Sequence, residues 1–213
     1  MGYRHRRQQQ RVANLQPVEL VIESMTLEGK GVAHHEGKVV FVEGGLPGER
    51  VRVRYTLQKN SFDEATTLEV LEPSPERITP KCQHYSLCGG CTWQHLAPDA
   101  QIRYKQQAML DGLQHIGKVE AEHVLEPLSA DVWGYRRKAR LGVRYVNKKE
   151  KVLVGFRERE GQFLADLSRC EVLHPSVGEH LLELQTLIAG LSQRERIPQI
   201  EVAVGDNATA LIV

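Results

Sequence analysis

The stretch Phe41-Val42-Glu43-Gly44-Gly45-Leu46-Pro47-Gly48-Glu49-Arg50-Val51-Arg52-Val53-Arg54-Tyr55-Thr56-Leu57 decides the fold. It sets a tight turn rich in glycine and proline between two extended runs. The first, Lys38 to Val42, is short and apolar. In the second, Val51, Val53, Tyr55 and Leu57 occupy one face, and Arg50, Arg52, Arg54 and Thr56 the other. A chain that alternates in this way buries one face and leaves the other to solvent. Upstream, Val18, Leu20 and Ile22 alternate with Glu19, Val21 and Glu23; downstream, Leu68 and Val70 close the set. Gly29, Gly31, Gly37, Gly44, Gly45 and Gly48 fall between the runs, where a reversing chain needs tolerance of positive φ. Residues 17–73 are therefore expected to form a small five-stranded barrel of oligonucleotide-binding type.

Outward from the barrel, Pro73-Ser74-Pro75 and Thr79-Pro80 interrupt regular structure, because each proline removes a backbone donor and restricts its predecessor. A domain boundary is placed there, with residues 74–213 as a second, α+β domain. A helix is expected from about Asp99 to Ile116, its stripe of Ile102, Met109, Leu110, Leu113 and Ile116 assigned to core packing and Gly117 to its end. Residues 138–146 read as a strand with Ala139, Leu141, Val143 and Tyr145 on one face. Val152, Val154 and Phe156 read as its hairpin partner. Ser176 and Glu179 have capping-box spacing ahead of Leu181, Leu184, Ile188 and Leu191, which predicts a second amphipathic helix. Ile200–Val204 and Ala208–Val213 flank a Gly-Asp-Asn turn as a last hairpin. Its final strand runs to the end of the sequence, so the second domain is expected to be truncated.

The 213 residues, 41% of them hydrophobic, suffice for packed cores. No secretory signal and no apolar run long enough to span a bilayer is legible, so a cytoplasmic, non-membrane protein and a monomer are expected. The net charge of +1 conceals an asymmetry. Between Gly134 and Arg159 lie ten Lys or Arg residues against only Glu150 and Glu158. On the 138–146 strand, Lys138, Arg140 and Arg144 share the face opposite the apolar one, which makes a cationic surface that Lys151 and Arg157 extend. Residues 1–16 form a basic arm carrying Arg4, Arg6, Arg7 and Arg11. Such surfaces attract polyanions, and RNA phosphates are the expected partner of Arg136, Lys138, Arg140, Arg144 and Arg157. Phe41 and Tyr55 are candidates for stacking on bases, with core packing the favoured role.

The four cysteines are Cys82, Cys88, Cys91 and Cys170. Three fall within ten residues, and Cys88-Gly89-Gly90-Cys91 makes a turn whose amides can point at sulfur. Cys170 would complete a four-thiolate shell from far along the chain. Disulfides fit a reducing compartment poorly. Structural zinc is a rival, although zinc ribbons usually carry two C-x2-C pairs and only one is present. Three clustered cysteines plus one remote one favour an iron-sulfur cluster. His84 and His95 lie nearby in sequence, with packing favoured over ligation.

Gly29-Lys30-Gly31-Val32-Ala33 with Phe41 to Val51 resembles a TRAM domain, an RNA-binding barrel of oligonucleotide-binding type. Cys82, Cys88-Gly89-Gly90-Cys91, Gln94-His95, Tyr104-Lys105, Tyr135-Arg136-Arg137-Lys138-Ala139 and Cys170 resemble the central domain of bacterial 23S ribosomal RNA uracil-5-methyltransferases. The resemblance implies a [4Fe-4S] cluster on Cys82, Cys88, Cys91 and Cys170, 23S ribosomal RNA as partner and S-adenosylmethionine as methyl donor. It further implies a catalytic cysteine thiolate that adds to C6 of uracil, so that C5 takes the methyl group. No glycine-rich turn for that cofactor and no spare cysteine is legible, and a Rossmann-like methyltransferase domain is absent. The chain alone is expected to be inactive, with no catalytic residue of its own and its catalytic domain beyond residue 213. The competing readings are a stand-alone zinc-binding RNA module and an electron carrier.

Overall fold

A computed structural model describes residues 15–159 and 161–213. Most of the basic arm assigned to residues 1–16 therefore lies outside the described residues. The chain forms two compact units. The first contains the chain up to Thr79 and again His95–Leu128; the second contains Pro80–Gln94 and Ser129–Val213.

In the first unit, β1 (Val18–Val21), β2 (Ser24–Met25), β3 (Gly31–His35), β4 (Lys38–Glu43), β5 (Arg50–Gln58) and β6 (Phe62–Glu72) lie in the order β1-β5-β6-β4-β3-β2. β1 and β2 are halves of one run that bends at Ile22. The amide of Ile22 donates to the carbonyl of Glu49 at 2.9 Å, and that of Glu23 to the carbonyl of Val32 at 2.8 Å. One half therefore pairs with each end of the sheet, which closes as a five-run barrel with a single parallel pairing, β4 with β6. Leu20, Ile22, Val40, Val42, Val51 and Val53 are buried inside, as the alternation requires. Gly31 and Gly45 make the bend possible. A Cβ on either would stand 2.8–2.9 Å from the Ile22 side chain, so larger residues would push apart the point of closure.

Glu49, in the turn that decided the fold, is completely buried. It accepts from the amides of Leu46 (2.8 Å) and Ser74 (3.1 Å) and from Arg77 Nε (2.5 Å) and Nη2 (2.7 Å). Burial pushes its carboxyl pKa up, but the Arg77 guanidinium and the two amides outweigh burial and hold it below the ordinary value. This pair explains why the chain does not leave the barrel unit at Pro73, where the sequence suggested a boundary. The unit keeps residues through Thr79, and it takes the chain back where the Ile78 amide meets the His95 carbonyl at 3.0 Å and the Ala97 amide meets Glu76 at 2.9 Å.

Helix α1 (Pro98–Gly112) follows, opened by Pro98 at its first turn, and a π-helical turn, Leu113–Gly117, extends it. Its stripe is not core, contrary to expectation. Ala100 is the buried residue of the helix, whereas Met109, Leu113 and Ile116 are exposed, Ile116 to 86%. The residue in the left-handed region at the end is Lys118 (φ 55°), not Gly117.

The second unit is built on an antiparallel sheet of β7 (Lys138–Val146), β8 (Lys151–Gly155), β9 (Gln199–Val204) and β10 (Thr209–Ile212) in the order β10-β9-β7-β8. Val143 faces Val154 and Tyr145 faces Val152, so the expected hairpin forms in register. Beyond the sequence reading, β9 pairs with β7 and sets Arg140 opposite Glu201. Leu141, Val143, Val152, Val154, Ile200 and Val202 form the core with Leu181, Leu184 and Ile188. The last three belong to α3 (Leu181–Ala189), which is separate from a short α2 (Pro175–Gly178). The predicted capping box does not form. His174 caps α2 by accepting from the Ser176 amide at 3.3 Å, and the helix breaks because the Gly178 carbonyl accepts from the Cys170 amide at 2.8 Å.

Candidate cysteine site and cationic groove

Cys82, Cys88, Cys91 and Cys170 are all free, and all line one cavity walled by Phe156, Leu167 and Val172. The loop carrying the first three is a series of tight turns. The Tyr85 amide donates to the Cys82 carbonyl at 3.0 Å and the Cys88 amide to the His84 carbonyl at 2.7 Å. Of the two glycines, Gly90 points its amide at Cys88 Sγ at 3.4 Å, as expected for this turn. Gly89 has another reason to be glycine. A Cβ there would meet backbone atoms of residues 157, 158 and 159 at 3.2 Å, and its amide donates to the Arg157 carbonyl at 2.9 Å.

Cys170 is brought in by a loop whose hydrogen bonds run to the start of the sheet. The Arg136 amide donates to the Val172 carbonyl at 2.9 Å, and the His174 amide to the Arg136 carbonyl at 3.0 Å. Burial pushes the thiol pKa of Cys82, Cys88 and Cys170 up, and neighbouring amides, of His84, Gly90 and Leu173 respectively, pull back only in part. Such thiols remain protonated unless a cation shares the cavity. Among the described residues, no three His, Cys, Asp or Glu side chains are grouped so as to hold a single metal ion.

The two histidines near the cysteines differ. His84 lines the cavity, but its Nε2 accepts from the Ser168 amide at 3.1 Å, which occupies the lone pair that a metal would need. His95 is buried in the first unit and does not line the cavity. Sequence reasoning missed the clamp on this loop. Arg159 lies 4.7 Å over the Tyr85 ring, and its Nη2 donates to the carbonyls of Tyr85 (3.0 Å) and Cys91 (2.6 Å). In sequence it was one more cation of a basic run, since contacts to carbonyls leave no residue pattern.

Arg140, Arg144 and Arg157 line a second feature, an open groove along β7 and β8 that Lys148 also borders. Arg140 is paired with Glu201 at 2.9 Å. Arg144 and Arg157 are exposed and have no ion-pair partner among the described residues. Lys138 is exposed at the start of β7 and Arg136 is half-buried; neither lines the groove. Lys151 is held by Asp166 at 2.7 Å rather than extending the cationic surface. Of the proposed stacking residues, Tyr55 is a core residue that hydrogen-bonds His35 Nδ1 at 2.7 Å. Phe41 is not core. It is half-buried and meets Phe62 edge-on at 5.4 Å. Phe163, which the sequence reading passed over, also lines the groove and is 74% exposed.

The TRAM domain model matches residues 14–61, which contain most of the barrel. The 23S rRNA (uracil(1939)-C(5))-methyltransferase RlmD of Alkalilimnicola ehrlichii is 50% identical over 212 residues, which cover 100% of this chain and 46% of the relative. The protein of the same name from Nitrosococcus oceani is 52% identical, with 92% of this chain and 44% of the relative covered. That from Methylococcus capsulatus is 47% identical over 100% of this chain and 47% of the relative. A crystal structure of Pyrococcus abyssi tRNA (uracil-54, C5)-methyltransferase with S-adenosyl-L-homocysteine superposes with a TM-score of 0.60, covering 90% of this chain and 44% of the other. At 21% identity it speaks for the fold alone. The chain spans about half the length of the curated relatives it matches. It carries a TRAM domain and corresponds in sequence to the N-terminal region of the RlmD-type 23S rRNA (uracil-C5)-methyltransferases.

Proposed function

We propose that this chain is the RNA-gripping, cluster-bearing part of a cytoplasmic, S-adenosylmethionine-dependent 23S rRNA (uracil-C5)-methyltransferase. On this reading methyl transfer would be carried out by residues other than these. Cys82, Cys88, Cys91 and Cys170 would hold a [4Fe-4S] cluster. The donor set fits: four thiols in one largely apolar cavity, three of them raised in pKa by burial, call for a cation as thiolate ligands do. Zinc, which four thiolates can also hold, is the alternative occupant. Bound there, the group supplies a covalent tie between the Cys82–Cys91 loop and Cys170; methyl transfer itself needs no electron from it.

The observation that carries this reading is that one short segment serves both sites. Phe156 walls the cysteine cavity and lines the groove. Arg157 lines the groove while its carbonyl holds Gly89, and Arg159 clamps the cysteine loop. A filled cavity thus sets the position of a groove cation. Lys138, Arg140, Arg144, Arg157 and Arg136 would meet phosphates of 23S ribosomal RNA, with the TRAM barrel as a further contact. The test is to titrate an rRNA fragment with the iron-loaded chain and with the same chain after chelation. Iron removal is expected to weaken binding by about tenfold, equivalent to the loss of one or two ordered phosphate contacts. Identical affinities would refute a cluster that organises the RNA site.

A further inference from the structure

Phe163 is the most exposed of the aromatic residues lining the cationic groove. It lies in the segment that follows β8. The Glu158 amide donates to the Phe163 carbonyl at 2.9 Å, and Arg157 bridges Leu164 in antiparallel fashion. The Leu164 side chain packs close over Gly142 of β7, where a Cβ would stand 2.7 Å from it. The backbone at Phe163 is thus hydrogen-bonded to Glu158, while its ring, 74% exposed, makes no aromatic or cation–π contact among the described residues.

Single exposed apolar side chains are ordinary on protein surfaces, so what distinguishes Phe163 is its place among the cations of the groove. The groove around it carries Arg140, Arg144 and Arg157, with the Gln162 amide beside it. An apolar protein partner would leave Arg144 and Arg157 desolvated and unpaired. An unpaired nucleotide offers both an anionic phosphate and a π face, so it matches the ring and the cations together. A duplex offers phosphates but keeps its bases stacked on one another.

We propose that Phe163 is a stacking platform for one unstacked base of a single-stranded RNA segment whose flanking phosphates lie against Arg144 and Arg157. This rests on the RNA-binding reading above and adds to it the strandedness of the ligand and the residue that reads it. Arginines supply the salt-dependent part of binding, and Phe163 a part that salt does not touch.

The experiment measures binding of the iron-loaded chain to a short fluorescein-labelled oligouridylate and to an RNA duplex of equal length across a salt series. Variants are Phe163→Ala, Phe163→Leu and Phe163→Trp. Because the ring is exposed, none should disturb folding. Phe163→Ala is expected to weaken single-strand binding by about tenfold without changing the salt slope, and to leave duplex binding alone. Phe163→Leu should lose nearly as much, since it keeps bulk but not the π face, and Phe163→Trp should retain affinity. Wild-type affinity in Phe163→Ala, full retention by Phe163→Leu, or an equal loss on duplex would each overturn the platform. If the unaltered chain bound neither RNA with any salt dependence, the RNA-binding reading would fall and the platform with it.

Discussion

The barrel and the cysteine-bearing unit are both built on sheets, yet different things hold them together. The barrel closes on its own side chains. Ile22 plugs the bend between β1 and β2, and the buried Glu49 finds its counter-charge in Arg77 within the same unit. The second unit has an apolar core of its own, built on its sheet. That core takes in Cys88 and packs against Cys170, and the four cysteines line one cavity where burial makes the thiols of Cys82, Cys88 and Cys170 harder to ionise. The barrel carries the counter-charge of its buried acid within the unit, whereas on the proposed reading the second unit would take its own from a bound cluster. The two should therefore respond in opposite ways to the same treatments.

The largest difference should come from Cys170→Ser. Ligated metal contributes on the order of 10 kcal/mol to small metal-dependent folds, so losing one ligand should cost several kcal/mol in the second unit. Hydrogen exchange of the whole chain should show protection falling over β7 to β10 and unchanged over β1 to β6. An even loss across both units would break the comparison.

Next is Glu49→Gln, which leaves Arg77 facing a neutral amide at a buried site and should cost the barrel about 3–5 kcal/mol in urea unfolding. The pH dependence has a definite sign. Because the Glu49 carboxyl is held below its ordinary value, its contribution is present in full above the ordinary carboxylate range and fades as pH falls through the depressed folded value. The acid limb of barrel stability should therefore flatten in Glu49→Gln, and an unchanged limb would remove Glu49 from that role.

The smallest effects separate two kinds of arginine. Arg52 lies on the barrel exterior in ion pairs with Glu19 (3.3 Å) and Glu69 (2.7 Å), all substantially exposed. Arg52→Ala should change stability by less than about 1 kcal/mol and leave the salt slope of RNA binding untouched. Arg144→Ala should leave stability alone and lower that slope by roughly one unit. Equal slopes for both variants would dissolve the distinction between a satisfied cation and a groove cation.

How far these features were legible in the sequence follows from the range of the interactions that make them. Alternation along Val51–Leu57 and Ala139–Tyr145 reads directly as strands, because side-chain period and burial are properties of a single element. The convergence of the four cysteines was legible from their spacing. The buried Glu49–Arg77 pair spans 28 residues and joins two polar residues that sequence reading sends to solvent. The break at Gly178 was illegible for the same reason. The helical periodicity of Val177 to Leu191 is continuous in sequence, and a hydrogen bond to Cys170 interrupts it in space. The exposed stripe at Met109, Leu113 and Ile116 shows the converse, since periodicity predicts a helix face but not whether anything covers it. Arg159 and Phe163 were missed because one acts through carbonyls and the other stands in a turn, where no periodicity marks a side chain.

The most direct test of the central claim is anaerobic purification of the chain followed by quantification of iron, acid-labile sulfide and zinc together with a visible spectrum. The account predicts iron and sulfide in equal amounts, approaching four of each per chain for a [4Fe-4S] group, and a broad absorption at roughly 400 nm that disappears in Cys170→Ser. Colourless protein holding one zinc, or a full iron content in Cys170→Ser, would contradict it.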